Sequence, residues 1–319
     1  MPDEVLATAR AARAASRKLA AASSEIRNRM LMTLANEIRS SSESLLAANA
    51  RDISAAQSAG LKPSMIDRLC FTHAKLQQVI DSVSQVAALE DPAGRVLSRT
   101  TLDDGLVLEQ ISIPFGVIGA VLEARPDAVV QIVSLAIKSA NALLLKAGAE
   151  MAETARTLAQ IAARTLTLMG LPSETVSFFY SRSAVSEMLQ LDEYIGLLVP
   201  RGSKDLIRYV QRNTRIPVIG HAEGICHVYI DRGADSEMAI RIALDSKTQS
   251  PSACNAAETI LVHRAIAPEL LPRLMANLRS AGVRVRGCAK TRDLLSDATI
   301  EIIEKDADWA TEYGDLTVA

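Results

Sequence analysis

From residue 106 to residue 262, short apolar runs alternate with longer amphipathic stretches. Leu106-Val107-Leu108-Glu109-Gln110-Ile111-Ser112-Ile113 is strand-like and stops at Pro114, and Gly116 to Leu122 reads as a buried strand. A helix follows over about 127–139, then a strand Ala142–Leu145, a helix from Glu150 to about Met169, and a strand Thr175–Tyr180. The runs Ile195–Val199 and Ile216–Ile219 continue the series, with helical patterns between them. A strand that returns through a helix of this length can join a parallel neighbour, so the pattern predicts βαβ crossovers. The expected fold class is α/β, a doubly wound and mostly parallel sheet.

Two further sections flank this series. Residues 1–90 read as helices, with Leu31, Leu34 and Ile38 on one face and Ser24-Glu25 as a start signal. Gly60-Leu61-Lys62-Pro63 breaks them and Asp91-Pro92-Ala93-Gly94 ends them. A second, smaller α/β section begins near Cys226. It has a strand Cys226–Asp231, a helix Glu237–Ser246, a loop Pro251–Asn255 and a strand Thr259–Val262, then a helix near Leu270–Ser280 and a short strand Val283–Val285. The expected domains are 1–225 and 226–319, with no internal repeat and no low-complexity linker.

A net charge of −2 and 3% aromatic residues exclude a broad basic footprint and a base-stacking platform, so no nucleic-acid partner is expected. No apolar stretch approaches the ~18–20 residues of a membrane helix, and no membrane partner is expected. The segment Met1–Ser24 is rich in Arg, Ala and Ser like a transit peptide, but Asp3 and Glu4 at its start favour a surface helix of a cytoplasmic protein. Cys70, Cys226, Cys254 and Cys288 are dispersed, without zinc spacing or a secretory signal, so neither a metal site nor a disulfide framework is expected.

Cys254 leads the chemical candidates. It sits in Ser250-Pro251-Ser252-Ala253-Cys254-Asn255, a polar loop between helix and strand that can present a thiol, and a thiolate attacks carbonyl carbon well. Core filler is the competing reading there, and the favoured one for Cys226. Gly116-Val117-Ile118-Gly119 is not a dinucleotide fingerprint, and its glycines read as close-packing positions in a sheet. Pro200-Arg201-Gly202-Ser203-Lys204 is either an ordinary strand–helix turn or an anion site made of backbone N–H groups. Lys146 ends a strand at the carboxyl edge of the sheet, where it is either a solvated surface residue or a contact to the extra phosphate of NADP. His221 and His227 flank Glu223 at a spacing that fits neither a helical metal site nor a zinc finger, so a polar turn is expected.

Taken in order, Pro114-Phe115-Gly116-Val117-Ile118-Gly119 leads to Glu123-Ala124-Arg125-Pro126, then to Lys138-Ser139-Ala140-Asn141-Ala142-Leu143-Leu144-Leu145-Lys146 and Val199-Pro200-Arg201-Gly202-Ser203. Ile216-Pro217-Val218, Gly224 to Asp231, and Cys254 with Asn255 and Glu258 complete the series. It resembles the γ-glutamyl phosphate reductase branch of the aldehyde dehydrogenase superfamily over essentially the whole chain. Arg125-Pro126-Asp127 and Gly220-His221-Ala222-Glu223-Gly224 are more similar to the reductase half of bifunctional pyrroline-5-carboxylate synthetases.

The resemblance implies an aldehyde-dehydrogenase-like fold, with NADP bound by residues 1–225 and catalysis in 226–319. It implies NADPH/NADP contacts from Glu123, Arg125, Pro126, Lys146, Arg201, Gly202 and Ser203, and catalysis by Cys254 with Asn255. Cys254 would attack the acyl phosphate of glutamate 5-phosphate, expel phosphate and form a thioester. Reduction by NADPH would release glutamate 5-semialdehyde, a proline precursor. The Cys254 N–H and Asn255 would face the oxyanion; Asp127, ionised, cannot donate to it. Relatives continue beyond the position of Ala319 and pack as homodimers through a tail. The catalytic section is therefore expected to be incomplete, with unpaired strands and exposed apolar faces. Relatives also carry Gly-Asn where this chain has Ala140-Asn141. The competing expectations are a non-catalytic remnant of the fold, or an aldehyde-oxidising dehydrogenase needing a base, for which Glu223 is the local candidate.

Overall fold

A computed structural model describes residues 2–220 and 223–319; His221 and Ala222 of the expected polar turn lie outside the described residues. Backbone contacts divide the chain into two compact units, Met1–Gly220 and His221–Ala319, rather than at the 225/226 division expected from the sequence.

The first unit opens with helices α1 (Pro2–Ala21), α2 (Ser24–Ser40), α3 (Ser42–Ser58), α4 (Pro63–Leu69) and α5 (His73–Ala88). Apolar positions at helical spacing explain them: Met30, Leu31, Leu34, Ala35 and Ile38 form the buried face of α2. Next comes an antiparallel hairpin, β1 (Val96–Asp103) and β2 (Leu106–Ile111). Every residue of both strands is exposed. The sequence reading found β2 and missed β1. Without a buried face, β1 shows no alternation to read, although Asp104-Gly105, with Gly105 at φ +72, is a hairpin signal.

The remaining elements are β3 (Val117–Leu122), α6 (Pro126–Lys138), β4 (Ala142–Lys146), α7 (Ala152–Leu168), β5 (Val176–Phe179), α8 (Ser183–Met188), β6 (Leu197–Arg201) and α9 (Lys204–Arg212). The sheet is parallel, in the order β5-β4-β3-β6. All residues of β3 and β4 are buried, because helices lie on both faces. Ile118, Ala120, Leu122, Leu143 and Leu145 belong to one core with residues of α2, α5, α6 and α7, while Val117, Val121, Ala142 and Leu144 belong to another with residues of α1 and α8. Gly119 is a packing glycine: a Cβ there would lie 2.6 Å from Leu198 Cδ2 and 3.1 Å from Met188 Cε. The expected strand at Ile216–Ile219 is a correction. Only a bridge between Leu198 and Val218 forms, because Pro217 has no N–H to donate.

Helix α6 ends with Ala140 at φ 59, Asn141 N–H bonding Ala136 O, and Ala140 N–H bonding Ile137 O. This is a Schellman stop, normally glycine at the left-handed position. Asn141, 2% exposed, then accepts from Gly116 N–H at 2.9 Å and donates to Ser139 O, tying the start of β3 to the end of α6.

The second unit contains β7 (Cys226–Ile230), α10 (Ser236–Thr248), β8 (Ala257–Val262), α11 (Ala267–Ser280), β9 (Arg284–Gly287), α12 (Ala289–Leu295), β10 (Glu301–Ile302), α13 (Asp306–Trp309) and β11 (Thr317–Val318). β7 pairs with β8, and β9 pairs with both β10 and β11, all in parallel. Ala319 joins the two groups: its N–H donates to Glu258 O at 2.9 Å, and its carbonyl accepts from Ile260 N–H at 2.8 Å. The expected unpaired strands are thus not found among the described residues. Exposed apolar side chains are found, including Tyr229, Met238, Ile242 and Leu261. No described helix is long and apolar enough to cross a membrane.

Asn141→Ala leaves the Gly116 N–H at the head of β3 without its acceptor. Loss of this half-buried hydrogen bond costs about 0.5–1.5 kcal/mol, so the urea midpoint of the first unit is expected to fall accordingly.

Candidate active site

The chain leaves β3 toward β4 and β5, then returns to the opposite side of β3 as β6. The connections after β3 and β6 therefore part, which makes the carboxyl ends of these strands a topological switch point, the place where ligands of such sheets bind. The expected cofactor residues gather there. Val121 stands in register with both Lys146 and Pro200, and Leu122 with Arg201.

Glu123 laces the two strand ends together. Its N–H donates to Arg201 O at 2.9 Å, and its Oε2 accepts from Ser203 N–H at 2.6 Å. Ser203 Oγ accepts from Leu206 N–H and caps α9. A Cβ on Gly202 would stand 2.3 Å from Glu123 Oε2, so glycine admits the carboxylate. The N–H of Ser203, considered above as an anion site, is thus occupied by the protein's own carboxylate at the positive end of α9. Pro126 is the buried first residue of α6 and Arg125 its N-cap.

Lys146 is 9% exposed, and it makes no hydrogen bond to another described residue. Burial pushes its pKa below the ordinary lysine value, against the carboxylates of Glu150 and Glu123, which favour the charged form, and with Arg182, which opposes it. The reading of Lys146 as solvated is therefore corrected. A desolvated ammonium without a direct partner, at the switch point of a parallel sheet, fits an anionic cofactor. Glu150, which the sequence reading did not single out, accepts from Ala124 N–H at 2.5 Å and holds that loop.

In the second unit Cys254 is exposed on the turn between α10 and β8, with Asn255 exposed beside it. Bonds from Ala253 N–H to Ser250 O and from Ala256 N–H to Ala253 O shape the turn. Gly224 packs against the Cys254 carbonyl so closely that a Cβ would lie 1.9 Å from its oxygen. Gly224 N–H points to Glu312 Oε2 at 3.3 Å. Cys226 is not core filler: it is half-buried, and its Sγ lies 3.6 Å from Cys254 O. His227 is exposed and its Nδ1 lies 2.8 Å from Ile225 O. The geometry leaves the thiol accessible while its backbone is held from both sides.

The ends of this turn are also tied. Lys247 Nζ meets Glu258 Oε2 at 2.9 Å, with both side chains 0–1% exposed. Sequence reasoning passed over Lys247 and over the packing role of Gly224. The spacing Ala239, Ala243, Lys247 places the lysine on the buried face of α10, a signal present in the sequence; no local pattern marks Gly224.

Residues 2–289 match the model of the aldehyde dehydrogenase family, and the chain belongs to that family. Within it, the chain is similar to γ-glutamyl phosphate reductases. It is 44% identical to that of Pelotomaculum thermopropionicum over 98% of this chain and 71% of the relative. The crystal structure of the Thermotoga maritima γ-glutamyl phosphate reductase superposes with a TM-score of 0.92 at 35% identity, covering 99% of this chain and 76% of the other. A glyceraldehyde-3-phosphate dehydrogenase from Methanocaldococcus jannaschii, determined with NADP, shares the fold alone: TM-score 0.64 at 16% identity, covering 94% of this chain and 62% of that one.

Gly224→Ala forces a methyl group against main chain that cannot yield as a side-chain tip does. The expected result is a loss of about 1–3 kcal/mol in the stability of the second unit, read from urea melts, together with an altered alkylation rate at Cys254.

Proposed function

We propose that the chain reduces L-glutamate 5-phosphate to L-glutamate 5-semialdehyde and phosphate with NADPH, in the cytoplasm, as a step toward proline. The observation that carries the reading is an accessible Cys254 on a tightly braced turn, in a chain 44% identical to a γ-glutamyl phosphate reductase over 98% of its length.

The residues give the reaction its order. The Cys254 thiolate attacks the acyl carbon, and the carbonyl oxygen takes the developing charge. The Cys254 N–H and the Asn255 side chain are the donors that would face that oxygen. Collapse breaks the bond to phosphate, already a good leaving group, and leaves a thioester on Cys254. Bound reduced nicotinamide supplies hydride for the thioester carbon. The resulting hemithioacetal takes up a proton as its C–S bond breaks, freeing the aldehyde and the Cys254 thiol. No base is needed to activate water, because the thioester is reduced rather than hydrolysed.

The first unit would hold the cofactor. Lys146 supplies a cation for its phosphates, Arg201 and Arg125 add charge at neighbouring strand ends, and Ser203 can exchange Glu123 for a ligand oxygen at the start of α9. Pro126 fixes the start of α6, and Gly202 keeps this approach free of side-chain bulk.

The reaction is tested in reverse, by phosphate-dependent reduction of NADP with glutamate 5-semialdehyde. Cys254→Ala is expected to lower the rate by about 10⁴-fold or more while leaving cofactor binding intact. A Cys254→Ala protein that keeps its rate removes the proposed nucleophile. Lys146→Met is expected to weaken NADPH binding by about 10- to 100-fold, the value of a charge-assisted hydrogen bond, in a fluorescence titration.

A further inference from the structure

Lys247 and Glu258 are charged, fully buried, and unused by the chemistry above. Lys247 lies in the last turn of α10 and Glu258 is the second residue of β8. They bracket residues 249–256, which carry Cys254. Their 2.9 Å contact therefore closes the segment at its base. Glu258 Oε1 receives Gly314 N–H at 3.4 Å, so the second oxygen of the carboxylate is directed as well.

Two charges removed from water tolerate little separation, because each is the compensation for the other's lost hydration. The pair thus sets one distance between the end of α10 and the start of β8. Within that span, the Ser250–Ala253 and Ala253–Ala256 bonds fix the turn, and Gly224 receives the Cys254 carbonyl. Such a pair is a poor source of folding free energy, since apolar residues of similar volume often replace one without loss. What apolar replacements cannot reproduce is its direction.

We propose that Lys247 and Glu258 are positioning residues for Cys254: their ion pair holds the turn so that the thiol points into the reaction, and adds little to global stability. The proposal rests on the reading of Cys254 as the nucleophile. Lys247 and Glu258 hydrogen-bond to each other and Glu258 to Gly314 N–H, rather than to the thiol, so their action runs through the backbone of 249–256.

The test uses the full chain and two variants, Glu258→Asp and the double variant Lys247→Met/Glu258→Met. Glu258→Asp keeps the charge but withdraws it by one methylene. The double variant is expected to keep the urea midpoint of the parent, whereas Glu258→Asp, which draws two buried charges apart, is expected to lower it. In both, hydrogen exchange of the 249–256 amides is expected to accelerate at least about ten-fold while α11 and β9 stay protected, and kcat to fall about ten-fold or more with the KM for NADP unchanged. Parent-like exchange and kcat in a stable double variant overturn the proposal. If the double variant does not fold, parent-like values in Glu258→Asp overturn it alone. Cys254→Ala separates the two readings: if it retains activity, the reaction proposed above falls and exchange still decides the clamp. If it is inactive while both variants behave as the parent, the reaction stands and the clamp falls.

Discussion

Burial of the central strands on both faces governs where anything polar can be placed in the first unit. Every residue of β3 and β4 is removed from water, and the strand residues divide alternately between two cores. A charged side chain along those strands would lose its hydration without return. Polar chemistry is therefore pushed to the strand ends, and Lys146, the last residue of β4, marks the boundary. The return of the chain to β6 on the far side of β3 does the rest, because it brings Glu123 and the Arg201–Ser203 connection together.

The same physics explains what could be read from the sequence. Strands β3 and β4 were placed within a residue or so because unbroken apolar runs bounded by Pro114, Asn141 and Ala147 have few other solutions. The turn bearing Cys254 was read from its polar residues between two apolar stretches. Strand β1 was not found, since its exposed residues Ser98-Arg99-Thr100-Thr101 give no apolar run of the kind that Leu106-Val107-Leu108 gives in β2. The short elements α12, β10, α13 and β11 were also missed, being only 2–7 residues long. The roles of Glu150 and Gly224 and the partnership of Lys247 with Glu258 were illegible for another reason: each depends on an approach between residues from separate elements. A lysine on the buried face of α10 and an acid at Glu258 were each visible, but their meeting was not.

Two of the buried lysines, Lys247 and Lys146, make an instructive contrast. Lys247 meets its carboxylate directly and is sealed from solvent. Lys146 has carboxylates nearby, but no hydrogen-bonding partner, and its ammonium is correspondingly disfavoured. A fully compensated charge braces structure; an undercompensated one remains ready for an incoming anion. Burial alone does not distinguish these roles, whereas the distance to the nearest opposite charge does.

The strand order β5-β4-β3-β6 also has a consequence for the nascent chain. One side of β3 finds its partner in β4 soon after synthesis, but the other waits for β6, whose Leu197 pairs with Ile118. At ~5–20 residues per second, that wait is on the order of 5–15 s. Throughout it, an apolar strand with unpaired N–H and C=O groups stands open to any other extended chain. Biogenesis of this fold therefore depends on keeping that edge unengaged until β6 emerges, a requirement written into the topology and invisible in the finished sheet.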